Sequence, residues 1–235
     1  DVVAGWERAG VARPWFRGRI GPAGIVDPDG HTRFRGVATM NAIAKHLAEG
    51  LDVRVSTRVR ALRESDTGWR IQPEDATDLV ADAVVLTAPV PQTRDLLTAG
   101  EVGLSSVDAR ALEAIRYEPC LAVLAALDGE SGLDGPGAVD PSDGPIDWMA
   151  DNSRKGVSAV PAITIHATAE FSRSHQESSD ELVIEELVRA AGLRARTIDG
   201  RVQVQRWRFA RPPTIHPARC LVLEGPPPLV CAGDA

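Results

Sequence analysis

Two short, continuously apolar segments limit the folds that this chain can adopt. Residues 83–88 are apolar apart from Thr87, and residues 229–232 are apolar throughout. Runs of this length are typical of strands that are covered on both faces, as in a parallel sheet. Proline ends the first segment, and Gly233-Asp234 ends the second. The pattern predicts an α/β sheet with strand ends whose backbone a ligand can approach closely.

The rest of the chain predicts alternating helices and strands. Residues 201–212 alternate strictly, as a strand does, and residues 178–193 carry a capping box from Ser178 to Glu181 at the start of a helix. Other predicted helices lie at 40–50, 91–97 and 105–119; other predicted strands lie at 51–55, 58–65, 68–73, 120–127 and 161–172, with a last strand pair at 219–224 and 229–235. Elements of one kind return after intervening segments, which indicates two domains that share the chain discontinuously.

Composition excludes several functions. The net charge of −7 and the isoelectric point near 5.3 argue against binding to nucleic acid or to an anionic membrane. The sequence has no apolar run of about 20 residues, which a membrane span needs. Its three cysteines are far apart, without the spacing of metal ligands, and its five histidines are isolated. We therefore expect a cytoplasmic protein without a metal site.

Motif searches leave a few stretches whose composition is unusual for packing alone. The sequence has no nucleophile elbow and no P-loop, and the glycine pair Gly135 and Gly137 lies in a Pro/Asp-rich loop. The remaining candidates are the ends of two strands, at 57–59 and 86–89, the stretch 147–156 and the strand 205–212.

In this order along the chain, six segments resemble renalase-like members of the flavin amine oxidase superfamily. They are GVATMNAIAKHLAEGLDVRVSTRVRAL, GWRI, ADAVVLTAPVPQTRDLL, WMADNSRKG, QRWRFARP and PPLVCAGDA. The resemblance implies a mixed α/β (α+β) fold, in which part of a Rossmann-type FAD-binding domain is interleaved with a substrate domain of an antiparallel sheet and helices. The implied division is substrate-domain strands at 1–36, FAD-binding domain at 37–102, substrate domain at 103–216 and a return to the FAD-binding domain at 217–235.

The resemblance also implies site residues. Those for FAD are Val59, Ala88, Pro89, Gly233 and Asp234, and those for the substrate are Trp148, Asn152, Arg206 and Trp207. Arg206 or Arg208 suits the phosphates of a substrate. Relatives commonly have histidine at the position of Gln205; glutamine orients a substrate but does not titrate.

The implied activity is that of an FAD-dependent oxidase. A hydride leaves a small reduced substrate, such as an isomeric dihydronicotinamide dinucleotide, and oxygen is the electron acceptor. We also expect the chain to be an inactive fragment that lacks the N-terminal dinucleotide-binding loop and the C-terminal helix of the family. Two alternatives stay open: a flavin amine oxidase proper, and a non-enzymatic module that binds a ligand or partner without FAD.

Overall fold

A computed structural model describes residues 1–233, without the side chains of Ala23 and Val26. Its helices are α1 (Val2–Arg8), α2 (Ala42–Leu47), α3 (Val90–Ala99), α4 (Ser106–Ala114), α5 (Ala169–Ser174) and α6 (Asp180–Ala191). Its strands are β1 (Ala12–Ile20), β2 (Val26–Gly36), β3 (Val59–Ser65), β4 (Gly68–Pro73), β5 (Leu79–Ala81), β6 (Val84–Leu86), β7 (Glu118–Leu127), β8 (Ala138–Val139), β9 (Ile146–Asp151), β10 (Ala162–Ala167), β11 (Thr197–Arg211), β12 (Leu221–Val222) and β13 (Leu229–Cys231).

The chain divides into two compact units, and each unit is built from two separate segments. The first comprises 1–51 and 119–208, and the second comprises 52–118 and 209–235. The sequence likewise predicts two interleaved parts, with boundaries at 36, 102 and 216. The assignment of an FAD-binding and a substrate role to particular segments stays a prediction.

The first unit contains a five-stranded sheet in the order β11-β7-β10-β9-β8. Strand β10 lies at its centre and pairs antiparallel with β7 and β9. Its residues Ile163 and Ile165 are fully buried, and they belong to one apolar cluster with Val183 and Leu187 of α6. This helix therefore covers one face of the sheet. The antiparallel hairpin β1–β2 also belongs to this unit.

The second unit contains two small sheets. One has the order β12-β13-β6, in which β13 runs parallel to β6; the other is the antiparallel meander β3-β4-β5. Leu62, Leu97, Leu112 and Leu229 join strands and helices α3 and α4 in one apolar core. The buried Trp69 belongs to the same core, and its indole Nε1 donates a hydrogen bond to the Pro228 carbonyl oxygen over 3.0 Å.

Two strand predictions are wrong in instructive ways. Residues 51–55 form no strand, and Leu51, Val53 and Val55 are exposed. Alternation alone does not form a strand, because each strand needs a hydrogen-bonded neighbour. Residues 83–88 do contain β6, but it lies at the edge of its sheet, and Val85 is 62% exposed rather than covered.

The strand predicted at 161–172 ends at Ala167, and residues 169–172 instead begin helix α5. Most other element predictions are confirmed. The hairpin β3–β4, strands β7, β10 and β11, helices α2, α3, α4 and α6 and the terminal pair β12–β13 all lie in or across the predicted segments. Helix α6 is capped by Ser179 rather than Ser178, since the Ser179 hydroxyl accepts a hydrogen bond from the Leu182 amide.

Within the part of the chain that the structure describes, no helix combines the length and apolarity that crossing a membrane requires.

Candidate functional site

The face of the five-stranded sheet that points away from α6 carries polar and aromatic side chains. Side chains alternate between the two faces of a strand, so Thr164 and His166 of β10 lie opposite to Ile163 and Ile165. On the neighbouring strand β9, Trp148 stands directly beside His166. We call this the outer face of the sheet.

Strand β11 adds two residues to the outer face. Its Val202 and Val204 pack against the apolar cluster that contains α6. Gln205 and Trp207 therefore point to the opposite side, and the indole of Trp207 is 53% exposed. Trp148 and Trp207, both predicted at the substrate site, thus lie on the same face.

Asn152 reaches the outer face from the turn after β9. Its side-chain amide donates a hydrogen bond to the Thr164 hydroxyl over 2.9 Å. Both residues line a cavity of about 370 Å³, together with Thr39, Met40 and Leu124. Three of the four predicted substrate-site residues are therefore associated with one face.

His166 was missed by sequence reasoning, which treated each histidine as isolated. Burial lowers the pKa of this half-buried imidazole, the Asp147 carboxylate opposes that shift, and the Lys155 ammonium adds to it. The neutral ring is therefore favoured at neutral pH, and one of its nitrogens accepts a hydrogen bond or a proton. The alternation of AITIHA, residues 162–167, was the available signal that this histidine and Thr164 share a face.

Arg206 differs from the other predicted substrate-site residues, because it lies on the face covered by α6. Its guanidinium donates to the carbonyl oxygens of Gln176, over 3.2 Å, and Ser178, over 2.6 Å, and it forms an ion pair with Asp180 at the start of α6. These contacts give Arg206 a structural role between β11 and α6. Its contact with substrate stays a prediction.

In the second unit, the carboxyl ends of the parallel strands β6 and β13 lie side by side. The Ala232 amide donates to the Leu86 carbonyl oxygen over 3.0 Å. Just beyond these ends, Ala88 and Gly233 line one cavity with Thr87 and Ala232. The structure thus brings together two of the residues predicted to contact FAD.

The other predicted FAD residues have separate positions. Pro89 is the N-terminal cap of α3, and Val59 begins β3 in the other small sheet, where it pairs with Pro73. Asp234 lies outside the described residues.

Small residues at the ends of adjacent parallel strands suit a dinucleotide, because ligands of α/β sheets bind outside the carboxyl ends of the strands. The cavity there measures only about 20 Å³, room for about one water molecule, so these residues do not enclose a dinucleotide. Burial raises the pKa of the adjacent Cys231 thiol to about 11, and the Asp108 carboxylate adds to the shift. Cys231 is therefore a protonated packing residue and not a nucleophile. Residues 1–233 contain no group of three or more histidine, cysteine or acidic side chains placed to hold a metal ion.

The first unit has an antiparallel sheet that α6 covers on one face, and the second unit has parallel strands with small residues at their ends. Solved structures share the fold. A protein from Exiguobacterium sp. 255-15, provisionally described as a protoporphyrinogen oxidase, matches with a TM-score of 0.54 and 17% identity, over 79% of this chain and 42% of that one. Reduced UDP-galactopyranose mutase matches with a TM-score of 0.54 and 12% identity, over 75% and 39%.

The family itself is shown by sequence. Residues 16–233 match the family of flavin-containing amine oxidoreductases, and the chain belongs to this family. The family is flavin-containing, and FAD is accordingly its cofactor. The chain spans about two fifths of the length of the two solved structures.

Proposed function

We propose that the protein is a renalase-like oxidoreductase that oxidises an isomeric dihydronicotinamide dinucleotide and passes the electrons to oxygen. The observation that carries this proposal is the outer face, on which two indoles, one neutral imidazole and two side-chain amides belong to one surface. The six segments that resemble renalase-like proteins support the same assignment within the flavin-containing family.

The side chains of the outer face have the chemistry that a dihydronicotinamide ring requires. Trp148 and Trp207 offer flat apolar surfaces on which a planar ring stacks. The amides of Asn152 and Gln205 both donate and accept hydrogen bonds, which suits the carboxamide of the substrate. FAD, when bound, supplies the hydride acceptor, while the protein supplies binding and orientation.

His166 has an orienting role in this proposal. Loss of a hydride from a dihydropyridine gives the aromatic pyridinium, so no proton has to leave the substrate ring. A hydrogen bond from or to the substrate is then sufficient, and glutamine at this position retains it. Oxidation of a protonated amine differs, because the amine must lose a proton before it gives up a hydride, so a titrating group is needed.

Peroxide formation by the FAD-loaded full-length gene product tests the proposal, with dihydronicotinamide isomers and simple amines as rival substrates. We expect turnover of a dihydronicotinamide, and a loss of about tenfold or more in kcat/KM for Trp148→Ala with unchanged flavin absorbance. His166→Gln retains most of kcat, whereas His166→Ala raises KM. Faster turnover of amines, with a large loss of kcat in His166→Gln, assigns the protein to the amine oxidases instead. A full-length product that folds but does not bind FAD supports the non-enzymatic alternative.

A further inference from the structure

A second cavity of the first unit lies beside the β1–β2 hairpin and has an unusual lining. It measures about 460 Å³, and its walls include the aromatic residues Trp15, Phe16, Phe34 and Trp148. The whole sequence has five Trp, one Tyr and four Phe, so four of its ten aromatic side chains line this one cavity. Such a concentration favours a ligand with a planar apolar ring.

The aromatic walls are held in place by specific contacts. The indole Nε1 of Trp15 donates to the Pro136 carbonyl oxygen over 3.0 Å. Trp15 meets Phe16 edge to face, with 4.7 Å between ring centroids, and it meets Trp148 in the same manner at 6.3 Å. These contacts fix the orientation of the rings in the unliganded protein, which lowers the entropic cost of binding.

Positive charge is concentrated around the same rings. Arg19 and Arg33 line the cavity and share a single carboxylate, that of Asp29, at 3.7 Å and 2.6 Å. The Lys155 ammonium lies 4.3 Å from the centroid of the Trp15 ring, and burial and the nearby Arg35 charge lower its pKa.

One carboxyl group also lines the cavity. Burial raises the pKa of Asp140, and the neighbouring Asp147 charge adds to the shift, so its negative form is disfavoured relative to an exposed aspartate. The lining of this cavity thus combines two guanidinium groups with this one carboxyl group.

We infer that this cavity binds the second nucleotide of the substrate: a planar base between the aromatic walls, with its phosphate towards Arg19 and Arg33. The inference rests on the proposed function, since Trp148 belongs both to the outer face and to the wall of this cavity. If the nicotinamide of a dinucleotide lies on the outer face, its second nucleotide would extend past Trp148 into this cavity. Guanidinium groups suit the phosphate, because they donate several hydrogen bonds in one plane.

Calorimetric titration of the full chain with AMP, in the absence of any oxidisable substrate, tests the inference. We expect AMP to bind and adenosine to bind more weakly. Arg19→Gln should raise the Kd for AMP by about tenfold and leave that for adenosine unchanged. The Arg19 side chain is 76% exposed, so this exchange spares the fold. Arg201→Gln, at an exposed position of β11, is the matched control and should leave both affinities unchanged.

Trp15→Ala supplies a second readout, because it removes part of the wall and should weaken AMP and adenosine alike. Circular dichroism of this variant verifies that it folds. Failure of AMP to bind at millimolar concentration overturns the inference, and so does an unchanged affinity in Arg19→Gln. Turnover of dihydronicotinamide dinucleotides without AMP binding rejects this cavity as a nucleotide-binding site and leaves the proposed function intact. AMP binding by a protein that oxidises no dihydronicotinamide rejects the proposed function instead.

Discussion

Asp151 is the residue on which the loop of the candidate site depends. Its carboxylate is almost completely buried and accepts four hydrogen bonds. The Ser131 hydroxyl donates over 2.6 Å, the Ser153 hydroxyl donates over 2.6 Å, and the amides of Ser153 and Arg154 each donate over 2.9 Å. The turn that follows β9 and carries Asn152 is thereby tied to this one carboxylate.

Asp151→Asn is expected to lower the free energy of unfolding by about 2 to 3 kcal/mol, because the new amide nitrogen cannot accept hydrogen bonds from the donors left behind. Urea unfolding at neutral pH measures the loss. Asp143→Asn, at an exposed position of the preceding loop, is the matched control and should change the stability little. Equal stabilities of the two variants would contradict the structural role of Asp151.

The same residue predicts a pH dependence. Burial raises the pKa of the Asp151 carboxyl, but the hydrogen bonds from Ser131, Ser153 and Arg154 outweigh burial and lower it below the usual value of 3.8. A depressed pKa in the folded state contributes stability that is fully present above 3.8 and is lost as the pH falls through the folded value. The difference in stability between the native protein and Asp151→Asn should therefore shrink on acidification below that range. A constant difference would show that the carboxylate is not preferentially ionised in the fold.

At the scale of elements, the end of α3 packs against β3 without space for a side chain. A Cβ atom on Gly100, the C-terminal cap of α3, would overlap the backbone carbonyl oxygen of Leu62. Backbone cannot yield as a flexible side chain does, so the helix would have to move off the strand.

Gly100→Ala should therefore destabilise the protein by about 3 kcal/mol. Gly103→Ala is the matched control: no atom lies within 4 Å of its added Cβ, so its effect should stay within about 0.5 kcal/mol. Thermal unfolding of the two variants measures the difference. A tolerated Gly100→Ala would mean that α3 and β3 are not in this close contact.

The contact of β11 with α6 gives a further prediction at this scale. Arg206→Ala removes the ion pair with Asp180 and two hydrogen bonds to carbonyl oxygens, so we expect a loss of about 1 to 2 kcal/mol of stability. Arg201→Ala serves as the control on the same strand. Unchanged stability together with a raised substrate KM would favour the role in substrate binding that the sequence predicts for Arg206.

At the scale of the whole molecule, the core of the second unit depends on the last segment of the chain. Residues 212–235 supply Leu223, Leu229 and Cys231 to that core, and the Pro228 carbonyl accepts the hydrogen bond of the Trp69 indole. The apolar cluster around α6 contains no residue beyond Val204 among those that the structure describes.

A chain that ends at Arg211 should consequently lose stability in the second unit and keep it in the first. We expect amide hydrogen exchange to become fast in β3 and β4, while the amides of β7 and β10 stay protected. Mass spectrometry of peptides from both units distinguishes the two responses. Equal loss of protection in β10 would show that the two units unfold as one.

Local periodicity determined a large part of the fold from the sequence alone. The alternation in β10 and β11, the capped helix α6 and the hairpin β3–β4 were predictable because the spacing of apolar residues decides which face of an element is buried. The family was predictable as well, because the segments that resemble flavin-dependent relatives are a property of the residues and their order along the chain.

Only the tertiary structure decided which residues from distant segments meet. The register between β9 and β10 places His166 beside Trp148, and the pairing of β11 with the sheet turns Arg206 towards α6 and Trp207 away from it. Residues 51–55 alternate as a strand does and yet form none, while Val85 stays exposed in a strand that the sequence predicts to be buried. Strand pairing and side-chain burial depend on segments far away in the chain, and no local pattern specifies which of these segments becomes the neighbour.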